Sequence, residues 1–226
     1  MAINIKTTGD LKNNGVKILV YGQAGAGKTT LIKTLPQPII LSVEGGLLSI
    51  KDADLPYIEI KTITELSDVY SWIVSSDEAV GLESVALDSI SEFAELVLNE
   101  QLKTNKDGRG AYGDMNQIIA GIIRTFRDLP GKNVYFSAKV ERAVDESGKM
   151  LYSPNMPGKS LTAQLPYFFD FVLPLRTEKD HEGIMHRMLQ CETDGLWLAK
   201  SRSTKLAQWE EPDLSALITK IIGEDI

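Results

Sequence analysis

The sequence holds a single cysteine, Cys191, so no disulfide can close within the chain and a reducing, cytoplasmic setting is expected. With no histidine next to it, Cys191 reads as a small strand residue rather than a nucleophile. Histidine is almost as scarce: His181 and His186 flank an expected hairpin, and no cysteine or carboxylate set completes a metal site with them. No apolar run approaches the roughly 18 residues that a membrane helix requires. Residues 1–6 lack the apolar core of a signal peptide, so no membrane partner is expected. Repeats, low-complexity runs and long linkers are missing too. Residues 1–226 are therefore expected to form one domain, with its core over 16–202 and a C-terminal helix over 213–223.

What is present is ordinary globular material: 226 residues, 43% hydrophobic and 24% charged, enough to bury a core without staples. Trp72, Trp197 and Trp209 read as core or interface residues. The net charge of −7 argues against a protein that coats nucleic acid without specificity. The charge is uneven, however. From Lys103 to Arg142 there are eight Lys or Arg against four Asp or Glu, a local +4 that leaves −11 for the remainder. Solvated helix faces explain such a stretch as readily as a DNA site does.

Short runs rich in β-branched residues predict strands over 16–21, 38–43, 57–60, 84–88, 132–138, 169–175, 185–191 and 196–199. Helical spacing predicts helices over 28–35, 64–75 with Thr64 as N-cap, 91–103, 118–126 and 214–222. Residues 104–113 read as a Gly-rich loop and 141–166 as a polar stretch. Strands alternating with helices predict an α/β fold, a mostly parallel sheet covered on both faces, with an antiparallel C-terminal extension.

The first strand runs directly into Gly22-Gln23-Ala24-Gly25-Ala26-Gly27-Lys28-Thr29, which satisfies G-x-x-x-x-G-K-[ST] in full and opens a helix. Glycines let the loop wind so that successive N–H groups converge on phosphate oxygens, and the helix start adds partial positive charge. Lys28 supplies a cation between the β- and γ-phosphates, the Thr29 hydroxyl is placed for Mg²⁺, and Thr30 continues the cradle. The pattern predicts a P-loop ATPase using ATP and Mg²⁺. Asp88 ends an apolar strand and is the candidate for the metal-side carboxylate, although Asp88-Ser89 also suits a helix N-cap. The residue after Asp88 is Ser89, not Glu, so a water-activating base must come from elsewhere. Glu44, at the end of the next strand and before Gly45-Gly46, is the first candidate, and Glu92 is the second.

These motifs resemble the RecA-type ATPase core, which places its catalytic Glu on the strand after the P-loop helix and commonly ends its metal strand in Asp-Ser. The nearest resemblance is to small phage-encoded RecA-like ATPases, including single-strand annealing recombinases. It is carried by Glu44-Gly45, Arg109-Gly110-Ala111-Tyr112-Gly113 and Ala199-Lys200-Ser201-Arg202. A phage origin would place the chain in a host's cytoplasm. The resemblance implies two DNA-binding loops, here 104–115 and 141–164. Lys103, Lys106 and Arg109 would neutralise phosphates and Tyr112 would stack on a base; a mobile loop with solubilising charges is the alternative. It also implies a γ-phosphate sensor at Lys139, where the family usually carries Gln, Asn or His, with Ser137 as the other candidate. Lys200 and Arg202 would act in trans on a neighbour's γ-phosphate, which requires a ring or filament; exposure at a strand end is the alternative. Single-stranded DNA, further copies of the chain and a single-strand DNA-binding protein are the implied partners. Two other outputs fit the same motifs: a motor or loader acting on a protein, and a non-hydrolysing module whose ATP sets assembly.

Overall fold

Every residue of the first strand, β1 (Lys17–Gly22), is buried in the computed structural model, which describes residues 7, 14–105, 107–144, 148–179 and 182–223. Burial on both faces is why residues 18–21 of this segment are an unbroken apolar run rather than an alternating one. Leu19 and Tyr21 point into one core, and Ile18 and Val20 into another. Parallel to β1 run β5 (Asn133–Val144) and β7 (Phe171–Lys179), one on each side. Beyond β5 lie β4 (Ser84–Asp88), β2 (Pro38–Ser42) and β3 (Tyr57–Glu59), all parallel. Beyond β7, the strands β8 (Met185–Gln190) and β9 (Trp209–Glu210) are antiparallel, and β6 (Met150–Pro154) folds back on the far end of β5. Among the described residues the order is β3-β2-β4-β5-β1-β7-β8-β9, with β6 off this path.

Helices cover both faces. On the Tyr21 face pack α2 (Ile63–Ser75), α3 (Ile90–Thr104), α4 (Gly108–Arg127) and α5 (Lys159–Phe168). On the Ile18 face pack α1 (Lys28–Leu31), the short turns at 32–34 and 47–53, and α6 (Leu214–Ile222). This is the expected α/β architecture, with the antiparallel strands at the C-terminal side. No helix among the described residues is long and apolar enough to cross a membrane.

Four local expectations need correction. Residues 108–113 are not loop but the first turns of α4: Asp107 accepts a hydrogen bond from Arg109 N at 3.1 Å, and Ala111, Met115, Ile119 and Ile123 form a fully buried i, i+4 stripe. That stripe outweighs the roughly 1 kcal/mol that each helical glycine costs. Thr62, not Thr64, caps α2, in a reciprocal capping box with Glu65. The polar stretch 141–166 contains the end of β5, then β6 and α5. Finally, 196–199 forms no ladder; Trp197 and Lys200 make single bridges to Tyr152 and Val172.

Candidate functional site

The candidate site stands on the C-terminal ends of the parallel strands, where an open α/β sheet leaves its crevice. A Cβ on Gly22 would meet the Leu175 carbonyl oxygen at 2.7 Å, so only glycine lets β1 turn here against β7. Gly27 precedes α1 at φ 102°, in a region that other residues rarely adopt. From α1, Lys28 folds back, and its Nζ donates to the carbonyls of Gly22 and Gln23, both at 3.0 Å. Burial pulls the Lys28 ammonium below its ordinary pKa, while Asp88 and Glu44 oppose that shift and Lys139 adds to it. Beneath the helix, the fully buried Tyr135 hydroxyl donates to the Lys28 carbonyl at 2.8 Å.

Although β5 separates β1 from β4, the Thr29 hydroxyl donates to Asp88 Oδ2 at 2.7 Å. The other carboxylate oxygen, Oδ1, accepts a short hydrogen bond from Ser137 on β5. Ser137 is therefore engaged with Asp88, which is 3% exposed. Ser89 donates a short hydrogen bond to Glu44 Oε1 and also caps α3 through Glu92 N at 3.3 Å. The N-cap expected near Asp88 is thus supplied by Ser89, which leaves the carboxylate of Asp88 to Thr29 and Ser137.

The donor set suits a Mg²⁺ ion: a hydroxyl and a carboxylate, both hard oxygens, side by side at a phosphate loop, where Mg²⁺ takes one or two protein ligands and fills the rest with phosphates and water. Thr29 and Asp88 are the residues that would hold it. Residues 14–203, most of the chain, match the family model of an AAA domain. The chain belongs to that family. No curated protein matches it. Its fold is that of an α/β P-loop NTPase, and its class that of a P-loop ATPase.

Around this AAA domain's phosphate loop, the remaining expected residues fall in different places. Glu44 lies two residues beyond Ser42, the register partner of Asp88, and faces the crevice beside Lys28. Glu92 instead pairs with Lys139 at 2.5 Å, and Glu95 joins at 2.9 Å. Burial works against the charge of Lys139, but those two carboxylates outweigh it and hold its pKa above the ordinary lysine value. Lys139 lies level with Gly22 in the sheet, and its backbone N–H donates to Ser91 Oγ at 2.9 Å.

Lys200 and Arg202 sit away from the crevice. Lys200 bridges to Val172, near the start of β7, and its Nζ donates to the carbonyls of Pro166 (3.0 Å) and Phe169 (2.7 Å) at the end of α5. Arg202 pairs with Asp170 at 2.7 Å and is 62% exposed. Both therefore lie toward the opposite strand ends from their own P-loop. Lys103 lines a groove with Val43, Lys61, Glu92, Glu95 and Glu100, in which carboxylates outnumber lysines. Arg109 and Tyr112 lie on the first turns of α4, and the Tyr112 ring would be 3.2 Å from a Cβ on Gly158 at the start of α5. Lys106 and His181 lie outside the described residues. Sequence reading missed Tyr135 and Glu95, whose contacts cross more than forty positions of chain. No local pattern marks them.

Proposed function

We propose that this AAA domain hydrolyses ATP by a RecA-type mechanism and works on single-stranded DNA in phage recombination or annealing. The observation that carries the hydrolytic reading is the convergence of Lys28, Thr29, Asp88, Ser89 and Glu44 on one crevice. Residues 22–30 seat the triphosphate, with Lys28 against its β- and γ-phosphates. Mg²⁺, when bound, neutralises charge on those phosphates. Ser89 orients Glu44, which accepts the proton of the attacking water as the bond from γ-phosphorus to the bridging oxygen breaks. ADP and inorganic phosphate are the products. Lys139, already paired with two carboxylates, can report on the γ-phosphate only by exchanging them for it.

Arg109 and the 42% exposed Tyr112 support the DNA reading, because they share one end of α4 and Tyr112 touches the Gly158 region. Two segments expected to contact DNA thus meet, and a cation and an aromatic side chain on the same helix end suit a single strand. The carboxylate-rich groove at Lys103 favours a second reading, a motor or loader that engages a basic protein partner. In either case Arg202 completes a neighbour's site across a ring or filament interface. A single-strand DNA-binding protein is a further candidate partner.

The test is steady-state ATP hydrolysis with and without single-stranded DNA, with Lys28→Ala as background. Strong, salt-sensitive stimulation supports the DNA reading. Hydrolysis indifferent to DNA supports the protein-directed motor. Turnover in Lys28→Ala equal to that of wild type would overturn the site itself.

A further inference from the structure

The sequence motifs assign no role to Arg187, yet the fold brings it to the phosphate loop. It lies on β8, opposite Thr177 of β7. A Cβ built on Gly27 would sit 3.7 Å from its Cδ and Nε and 3.9 Å from its Cζ. Thr177 and Arg187 continue the face that carries the cross-strand pair Leu175 and Leu189, both buried in the core that α1 covers. The guanidinium is therefore delivered on the α1 side, over the last glycine before Lys28. Its cross-strand neighbour is a neutral threonine, and among the described residues no carboxylate pairs with it. An open cleft of about 160 Å³ lies between residues 23–26 of the loop and residues 175–178 of β7.

Direction decides which phosphate it meets. Thr29, Asp88 and Glu44 fix the γ-phosphate end on the β5-β4-β2 side of β1. β8 lies on the other side, beyond β7. We propose that Arg187 is a nucleotide-binding residue whose guanidinium holds the α- and β-phosphates of a nucleotide seated in the loop, in the same subunit. This rests on the nucleotide-binding reading of residues 22–30. Arg187 differs in kind from Arg202, which can reach a nucleotide only across a subunit interface. Two N–H groups on one rigid fork suit adjacent phosphate oxygens, which a lysine's point charge does not match.

The experiment is calorimetric titration of the full chain with ADP and with the non-hydrolysable AMP-PNP. Wild type, Arg187→Ala, Arg187→Lys and Lys28→Ala are compared, each checked for an unchanged melting temperature. Arg187→Ala is expected to weaken ADP and AMP-PNP by the same factor, about tenfold or more, as for loss of one charge-assisted hydrogen bond. Arg187→Lys should recover only part of that loss. Wild-type affinity for both nucleotides in folded Arg187→Ala, with binding lost in Lys28→Ala, would overturn the proposal and leave the P-loop reading standing. A loss confined to AMP-PNP would also overturn it, because the contact would then be to the γ-phosphate. Wild-type binding by Lys28→Ala would remove the P-loop reading and this proposal together.

Discussion

Replacing Ser137 with alanine tests whether Asp88, the candidate metal-side carboxylate, is held from the neighbouring strand. Ser137 is fully buried and Asp88 is 3% exposed, so water cannot replace the missing hydroxyl without opening the core. The change leaves Asp88 Oδ1 without a donor while Oδ2 keeps Thr29. A hydrogen bond to a charged group contributes about 1.5–3 kcal/mol. In a chain of this size that corresponds to a fall in melting temperature of about 3–12 °C. The functional effect acts through Asp88, so it should fall on Mg²⁺. Losing the partner that orients a metal ligand costs about 10–100-fold in metal affinity. Magnesium titration of ATP turnover, beside a thermal melt, reads both quantities. A rightward shift of the Mg²⁺ midpoint with near-normal turnover at saturation is the expected result. If Ser137 instead touched the γ-phosphate as a sensor, turnover would fall while the Mg²⁺ midpoint stayed put. An unshifted midpoint together with an unshifted melt would refute the positioning argument.

Other outcomes follow from the same geometry. Glu44→Gln should bind ATP normally but turn over about 10²- to 10⁴-fold more slowly, the usual contribution of a general base; wild-type turnover would move the base to Glu92. Arg202→Ala should bind nucleotide yet hydrolyse it slowly, since an arginine supplied across an interface contributes about 10³- to 10⁵-fold; full activity in an oligomeric sample would reject the trans role. Stability should vary with pH in a set order. Burial lowers Lys17 to about 8 from an ordinary 10.5, so between those values the unfolded chain holds more protons, and stability should climb from pH 8 toward 9. Cys191, raised by burial to about 12 from 9.0, then cancels the rise. Tyr21 and Tyr135, both raised by burial from 10.0, make stability fall beyond about pH 10. Denaturant midpoints measured from pH 7 to 11 check this order. A steady decline from pH 8 would contradict it, and Lys17→Met should reduce the initial rise, leaving what Lys28 and Lys200, also lowered by burial, contribute.

The elements that were legible in sequence are those in which one local signal dominates. Residues 17–22 are buried on both faces and so read as an unbroken strand, and the glycine-lysine loop follows without interruption. Asp88 was legible because an apolar strand ends on it. The N-terminal half of α4 was not. Gly108, Gly110 and Gly113 signal a turn, and the buried series from Ala111 to Ile123 outweighs them only when α4 has α3 and the sheet to pack against. Thr62 was obscured by Thr64, although Glu65 three positions after Thr62 is the signature of its capping box. Lys200 was legible as a motif member, but its attachment to the end of α5 spans 34 positions and depends on where β7 places Phe169. Arg187 was unreadable for the same reason: its proximity to Gly27 comes from a sheet order that sets β8 two strands from β1.

That sheet order also explains why β5 matters more to the site than its sequence suggests. β5 lies between the strand that carries the phosphate loop and the strand that carries Asp88. Val20 is level with Ser137, and Leu87 with Phe136, so Ser137 stands beside Asp88 by register alone. Side chains two apart share a face of a strand, so Tyr135 and Ser137 act on the same side. Tyr135 holds α1 through the Lys28 carbonyl, and Ser137 holds Asp88. One inserted strand therefore fixes both halves of the candidate site, the lysine helix and the Asp88 carboxylate, against each other. It also limits what position 137 can be. A hydroxyl is needed to satisfy Asp88, and any side chain much larger than serine would intrude on Asp88 and strain its 2.7 Å contact with Thr29.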